Sequence, residues 1–444
     1  MLSDPIVALA TAPGRAALAL IRLSGRGAFD LAGRVLRPFH PDSPRVALRA
    51  RLHHPATGDP IDDVLAVCFP GPGSYTGEDV VEISTHGGLL VPAEAVAAFV
   101  AAGARPAAPG EFTRRAVLNG KMDLLQAEAT ADLIEAGAPA QRRRALQQLD
   151  RGLSGRLEAL RGEILELEAL TAYEIDFPEE DEGPVSPERI ERAWRHARDR
   201  VARLLETAPD GERLHDGALV VIAGPPNVGK SSLFNALLGR ERAIVTEIPG
   251  TTRDAIEAQA VLEGFPFRLV DTAGLRDSED RVEKIGIEVS RKYLAAADLV
   301  LFCEELPGTG QEEFLAQIEV PAVFVQTKVD VAPAPSGRAG QIPVSAVTGE
   351  GLGRLKRRLA QAAFGRLAGM GEVEPVVTRA RHRTALELAA AELEAFHFAR
   401  GHGVDAAAAA THLRSVVGAL DDLIGVVTPE DVLDRVFASF CVGK

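Results

Sequence analysis

Gly224-Pro225-Pro226-Asn227-Val228-Gly229-Lys230-Ser231 is the stretch that decides how this chain is read. Two glycines five positions apart, then a lysine and a hydroxyl, match a phosphate-binding loop, a pattern that carries weight only between a strand and a helix. Leu219 to Ala223 ahead of it is an unbroken apolar run, expected as a buried parallel strand. Ser232 to Leu238 behind it reads as a helix, with Gly239 as its stop. A strand, a glycine loop and a helix start point several backbone N–H groups at one place, where the helix dipole also favours an anion. Asn227, Val228, Gly229, Lys230, Ser231 and Ser232 are therefore expected around bound phosphates. Lys230 would reach the β- and γ-phosphates and Ser231 would hold Mg²⁺. A chance glycine turn is the bland alternative, and the flanking elements disfavour it.

Further motifs follow in the order a nucleotide domain requires. Gly250-Thr251-Thr252-Arg253-Asp254 precedes the alternating strand Ala255 to Leu262, a position where Thr252 would complete the Mg²⁺ shell. After a hairpin turn at Glu263-Gly264, the strand Phe267 to Val270 ends in Asp271-Thr272-Ala273-Gly274, where Asp271 would reach Mg²⁺ through water and Gly274 the γ-phosphate. Ala322 to Val325 leads to Thr327-Lys328-Val329-Asp330, and Ile342 to Val344 leads to Ser345-Ala346. Asp330 would accept from the ring N–H and amino group of guanine, so the ordered set predicts GTP rather than ATP. Two departures stand out. Thr327 occupies a place where GTPases usually carry asparagine, and a hydroxyl cannot reproduce that amide's two-ended tie to neighbouring loops. Leu275 follows Gly274 where Ras-like enzymes carry the glutamine that orients water, so catalysis needs another group.

The 444 residues are enough for about three domains of ordinary size. A net charge of -14 makes the whole molecule a poor match to nucleic acid, so contact with RNA is expected mainly through a partner. Cys68, Cys303 and Cys441 are far apart, which excludes a disulfide framework and a zinc motif and fits a reducing cytoplasm. No basic leader and no apolar run of membrane-spanning length is present, and a soluble cytoplasmic protein is expected.

Ahead of the nucleotide domain, Ile6 to Ala10, Ala17 to Leu23, about Val64 to Phe69, and Val80 to Ser84 read as strands, and Val91 to Ala102 as a helix stopped by Gly103. That is an α+β domain. Arg22 and Glu82 are isolated polar residues inside strand patterns, and an exposed face is the simpler reading of both. From Asn119 the pattern turns helical, and leucines at 146, 149, 153, 157, 160, 167 and 170, with Ile164, predict one long amphipathic helix. The acidic stretch Asp176 to Pro184 interrupts it, and Ser186-Pro187-Glu188 restarts a helix with an N-cap and a proline at the first position. Helical signals return at Arg379 to Ala399, Ala406 to Leu420 and after Thr428-Pro429-Glu430. The expected organisation is an α+β domain over 1–118, a helical bundle from 119–213 and 372–444, and an inserted α/β P-loop GTPase domain of Ras-like type over 214–371.

Together the phosphate loop, Gly250-Thr251-Thr252-Arg253-Asp254, Asp271-Thr272-Ala273-Gly274-Leu275-Arg276, Val282-Glu283 and Cys441-Val442-Gly443-Lys444 resemble the bacterial tRNA modification GTPase family MnmE (TrmE). Motifs outside the GTPase domain carry the specificity. They are Pro13-Gly14-Arg15, Phe69-Pro70-Gly71-Pro72, Thr76-Gly77-Glu78-Asp79, His86-Gly87-Gly88, Pro109-Gly110-Glu111-Phe112 and Ile175-Asp176-Phe177-Pro178.

The resemblance implies a protein that works with the flavoprotein MnmG (GidA), as a heterotetramer, to place a carboxymethylaminomethyl or aminomethyl group at C5 of the wobble uridine of certain tRNAs. The one-carbon unit would come from a tetrahydrofolate, as its 5-formyl or 5,10-methylene form. Positions matching the family's folate site are Arg22, Glu82, Lys121 and Lys444 in an N-terminal domain that also makes a homodimer. Further positions matching the GTP site are Thr246, Glu247, Ile248, Pro249, Gly250 and Thr251, with Thr272 and Ala273, and a K⁺ ion would sit on Asn227, Thr246, Ile248 and Thr251. Glu283 matches the catalytic glutamate that orients water. Cys441, the one cysteine outside an apolar strand pattern, becomes with the resemblance a candidate nucleophile, although the residues alone favour an exposed bystander thiol. The alternative function is a GTP-dependent ribosome-assembly or signalling switch without one-carbon chemistry.

Overall fold

The computed structural model describes residues 4–176, 186–239, 256–271, 292–305, 319–331, 340–369, 375–425, 430–438 and 440–443. The chain divides into two compact units, residues 1–131 with 421–444, and residues 132–420. Among the described residues no helix is long and apolar enough to cross a membrane.

The first unit is built on β1 (Ile6–Leu9), β2 (Leu18–Ser24), β3 (Leu36–Arg37), β4 (Leu48–His53), β5 (Pro60–Phe69), β6 (Val80–His86) and β7 (Arg105–Pro106). They form one sheet in the order β3-β4-β5-β6-β2-β1-β7, antiparallel except for the β1/β7 pair. Val7, Ile21, Leu23, Val81 and Ile83 alternate onto one face and are covered by helices α1 (Ala28–Val35) and α2 (Val91–Ala102). The period of two puts their neighbours Arg22 and Glu82 on the other face. Gly103 ends α2 with φ 117°, a conformation glycine adopts without penalty. Helices α3 (Glu111–Leu118) and α4 (Leu124–Glu135) follow. Leu124 and Ala127 of α4 bury against Leu433 and Phe437 of the helix Glu430–Ala438 and against Phe440.

In the second unit the expected single long helix is two. Helix α5 (Pro139–Leu149) stops, Arg151 turns left-handed at φ 62°, and α6 (Gly152–Asp176) begins. Apolar spacing survives across the break because the turn carries the buried stripe onward. Leu153, Leu157, Leu160, Ile164 and Leu167 are buried while Leu146 is exposed. Helix α7 (Pro187–Leu205) starts after Ser186 with Pro187 in its first turn, although the Ser186 side chain makes no capping bond. Trp194 on α7 donates its indole N–H to the Leu393 carbonyl at 2.8 Å, fixing α7 against the later helix Ala380–Gly401.

After α8 (Ala208–Asp216), the α/β part contains β8 (Ala218–Ala223), α9 (Lys230–Leu238), β9 (Ile256–Leu262), β10 (Phe265–Asp271), β11 (Leu299–Glu304), β12 (Ala322–Gln326), β13 (Ile342–Pro343) and α10 (Leu352–Gly369). The sheet order is β13-β12-β11-β8-β10-β9, parallel except for the β9/β10 hairpin. Every residue of β8 is buried, as its apolar run predicts. Glu263 and Gly264 turn the hairpin with φ 51° and 83°, the two positive angles of a type I′ turn.

Candidate functional site

Strand β8 lies inside its sheet with β10 and β11 on either side, so the loop after it opens at the carboxyl ends of three parallel strands, where open α/β sheets bind ligands. Gly224 has φ 139° and lies against the Cys303 carbonyl, which any side chain there would strike. Asn227 and Gly229 take positive φ of 60° and 91°, which turns the loop into the start of α9. Lys230 is buried and donates to the Gly224 and Pro225 carbonyls at 3.0 and 2.7 Å, so its ammonium already sits inside the loop that would surround phosphate. Ser231 and Ser232 are exposed on the first turn of α9, and Val228 is buried beneath the loop. Asp271, 2% exposed, ends β10 opposite Ile222, two residues before the loop begins.

Thr327 stands where an amide's two-ended tie is missing, and its single hydroxyl proton has two carbonyls within reach. Its Oγ1 lies 2.5 Å from the Val228 carbonyl and 3.1 Å from that of Glu304, and its N–H donates to the Glu304 carbonyl at 2.8 Å. One small side chain thus links the phosphate loop to the end of β11. Lys328 has φ 57° and pairs with Glu305 at 3.1 Å, leaving Asp330 exposed beyond it. Ser345, fully buried, accepts from the Val347 and Thr348 N–H groups and shapes the loop that holds Ala346.

The second constellation lies on the sheet face of the first unit opposite α1 and α2. Register places Arg22 directly opposite Glu82, and Nε and Nη2 donate to Glu82 Oε1 at 3.0 and 2.7 Å. The two side chains are only 12% and 25% exposed, so the simpler reading of an exposed face does not hold. Tyr75 and Phe112 stack on the guanidinium at 5.1 and 5.7 Å, and Tyr75 is tied to Thr113 through their hydroxyls at 2.9 Å. Arg22 Nη1 also reaches the Gly443 carbonyl at 3.5 Å. The late stretch is fixed there by a bridge between Val442 and Pro109 and by the Gly110 N–H donating to the Cys441 carbonyl. Lys121 donates to the Pro72 carbonyl at 2.8 Å, along the same loop that carries Tyr75. Cys441 is exposed, whereas burial pushes the Cys68 thiol up to about 11 and the Cys303 thiol up to about 12.

Residues 5–121 match the family described as GTP-binding protein TrmE N-terminus, and residues 124–441 match the MnmE helical domain. The chain belongs to the tRNA modification GTPase MnmE family. A relative of that name from Methylobacterium sp. (strain 4-46) is 44% identical, with 100% of each chain covered. Another from Aquifex aeolicus (strain VF5) is 39% identical over 99% of this chain and 100% of its own. Among solved structures, the G domain of the T. maritima FeoB iron transporter is 30% identical, covering 33% of this chain and 98% of its own at a TM-score of 0.26. As an MnmE-family member the chain is a GTP hydrolase with an α+β N-terminal domain, a helical domain and a P-loop GTPase domain.

In MnmE terms, the positions brought together in the GTPase part are Asn227 to Ser232, Asp271, Thr327, Lys328, Asp330, Ser345 and Ala346. Arg22, Glu82 and Cys441-Val442-Gly443 converge in the first unit. Thr246, Glu247, Ile248, Pro249, Gly250, Thr251, Thr252, Thr272, Ala273, Gly274, Glu283 and Lys444 lie outside the described residues. Sequence reasoning missed Tyr75 and Phe112 as the aromatic walls around Arg22. Their signal was present, since both fall within or beside motifs that carry the resemblance.

Proposed function

We propose that this protein is the GTP-hydrolysing component of a tRNA-modifying complex that uses a tetrahydrofolate one-carbon unit at C5 of the wobble uridine, together with an MnmG-type flavoprotein in the cytoplasm. The observation that carries the reading is the convergence of Arg22, Glu82 and the Gly443 carbonyl beneath two aromatic rings. A pure nucleotide switch has no evident use for a second polar site of this kind. Folate offers a flat pterin whose N–H edge suits a carboxylate, and a carboxylated tail that suits a cation. Both guanidinium bonds fall on Oε1 of Glu82, which leaves Oε2 as the acceptor for the pterin edge. Tyr75 and Phe112 supply apolar surface beside it, and Lys121 and Lys444 are the cations for the tail.

In the GTPase domain, the Ser231 hydroxyl and the Asp271 carboxylate are hard oxygen donors that fit Mg²⁺, and the Asn227 amide oxygen fits K⁺. The division of labour follows. Lys230 releases the Gly224 and Pro225 carbonyls to hold the β- and γ-phosphates, and Asp330 reads guanine. Ser231 and Thr252 would hold Mg²⁺. Asn227 and, as the resemblance implies, Thr246, Ile248 and Thr251 would hold a monovalent cation, which would supply the charge compensation that, where an arginine finger performs it, is worth about 10³ to 10⁵ in rate. Glu283 orients the attacking water. The first unit forms the homodimer, which allows two GTPase domains to meet. The domain limits 119–213 and 372–444 for the helical part belong to the same proposal.

Mass spectrometry of wobble uridines, in cells lacking the gene and complemented with wild type or Glu82→Ala, tests the reading. Loss of the modified base without the gene, and failure of Glu82→Ala to restore it, is expected. Normal modification in the deletion strain returns the protein to the class of GTP-dependent assembly switches.

A further inference from the structure

We propose that Gln141, at the start of α5, is a positioning residue that couples the nucleotide site to the helical segments of the second unit. The proposal goes beyond the chemistry above and rests only on the chain being a GTPase. Its starting point is the β9–β10 hairpin, which joins the motif Gly250-Thr251-Thr252 on one side to Asp271 on the other. Seven consecutive residue pairs hold its strands in register from Phe265/Leu262 to Asp271/Ile256, so a shift at the nucleotide end is carried to the tip.

The tip is received by α5. The Ala140 N–H, one of the donors that a helix start leaves without an internal partner, donates to the Gly264 carbonyl at 3.0 Å. On the strand leaving the tip, Phe265 stacks on Phe364 of α10 at 4.7 Å and Phe267 meets the same ring edge-on at 5.4 Å. Ala138, the residue at the cap position, has no side-chain acceptor. Gln141 takes over: its Oε1 accepts from the Gly137 and Ala138 N–H groups at 3.1 and 3.0 Å. Its Nε2 donates in the other direction, to the His215 carbonyl at 3.0 Å, three residues before β8 and the phosphate loop.

The imidazole of His215 lies 3.4 Å from Asp132, and Asp132 also pairs with Arg379, where the chain leaves the α/β part for the helix Ala380–Gly401. Entry and hairpin tip of the α/β part therefore meet at the first turn of α5, and the exit is joined to the entry through Asp132. A cleft of about 370 Å³, lined by Asp132, Gln141, Arg144, His215, Gln259 and Arg268, runs beside the hairpin. The edge strand is thus held at its tip and its sheet partner, with room along its flank. Among the described residues, Gln141 is the side chain that bonds both to the turn leading into α5 and to the strand entry.

Hydrogen exchange on the full chain, saturated with GDP or with a non-hydrolysable GTP analogue, tests this. In wild type, amides of the α5 start should exchange at rates differing by about fivefold or more between the two nucleotides, the size of one backbone hydrogen bond made or lost. Gln141→Ala should reduce that difference below about twofold, with hydrolysis unchanged within about twofold. Gln141→Glu keeps an acceptor for Gly137 and Ala138 and replaces the donor to His215 by a carboxylate oxygen that repels its carbonyl, so it should uncouple without uncapping the helix. A merely structural cap predicts a wild-type nucleotide response in Gln141→Glu, and that result overturns the proposal. So does a wild-type α5 whose exchange ignores the nucleotide. Failure of either nucleotide to bind would instead refute the GTPase assignment.

Discussion

Thr327→Val keeps the shape of a buried side chain and removes one hydroxyl, and its cost can be worked from the contacts. The Glu304 carbonyl keeps its 2.8 Å bond from the Thr327 N–H, so it is not orphaned. The Val228 carbonyl has no other hydrogen bond among the described residues and loses its donor. A buried acceptor left unpaired costs about 1–3 kcal/mol, and the methyl that replaces the hydroxyl returns part of it, for a net of about 1–2 kcal/mol. In a domain of this size that lowers the thermal midpoint by about 2–4 °C per kcal/mol. Because Val228 belongs to the phosphate loop, ordering that the hydroxyl supplied beforehand must now be supplied on binding. GDP affinity should therefore fall by up to the same free energy, about five- to thirtyfold. Thermal unfolding of the GTPase domain and titration with a fluorescent GDP analogue measure both quantities. Thr327→Ser is the control and should behave nearly as wild type. If Thr327→Val binds and melts like wild type while Thr327→Ser is weakened, methyl packing matters and the hydroxyl tie does not.

Glu82→Ala should weaken binding of a reduced folate, read by calorimetry, while GTP hydrolysis stays unchanged; equal binding by both proteins would remove Glu82 from the site. Cys441→Ser should abolish tRNA modification in cells with GTPase rate and folding intact, and normal modified uridine in that strain would make the thiol a bystander. Asp330→Asn should lower GTP affinity and relax discrimination against xanthosine triphosphate, measured by competition; undiminished selectivity would place base reading elsewhere. Burial alone would raise the Glu111 carboxyl, but bonds from Arg105, the Ala108 N–H and Arg115 outweigh it and hold the group below its ordinary 4.5. A depressed carboxyl stabilises the fold above its ordinary value and loses that contribution as pH falls through the lower folded value. Urea unfolding of the first unit should accordingly weaken below pH 4.5, and Glu111→Gln should flatten that slope.

What sequence made legible and what it hid divide along the range of the interaction. The phosphate loop, the strand before it, α9 and its Gly239 stop, the Glu263-Gly264 hairpin and α2 with Gly103 are all set by residues within a few positions of one another, and all stand where their patterns place them. The break between α5 and α6 was invisible because a leucine stripe reports which residues are buried, not whether the backbone between them stays helical. Arg151 has no residue-type signal for its left-handed turn. Strand β3 is only two residues long, whereas β4 alternates Leu48, Ala50 and Leu52 with Arg49, Arg51 and His53, a period-two signal that was present but not read. The pairing of Arg22 with Glu82 lies 60 positions apart, and only strand register brings them together. Composition reads each as a solitary polar residue. The Thr327 tie spans 99 positions and has the same character.

The bond from Arg22 to the Gly443 carbonyl joins positions 421 apart in the chain. On the ribosome, the sheet that holds Arg22 emerges early, whereas the stretch that completes its surroundings is made after both the helical segments and the GTPase insert. A product that stops short of Cys441 would lack the Gly443 carbonyl beside Arg22 and the bridge from Val442 to Pro109. Under the proposed function, the last stretch to be synthesised would therefore be the one that completes the surroundings of the first-made Arg22.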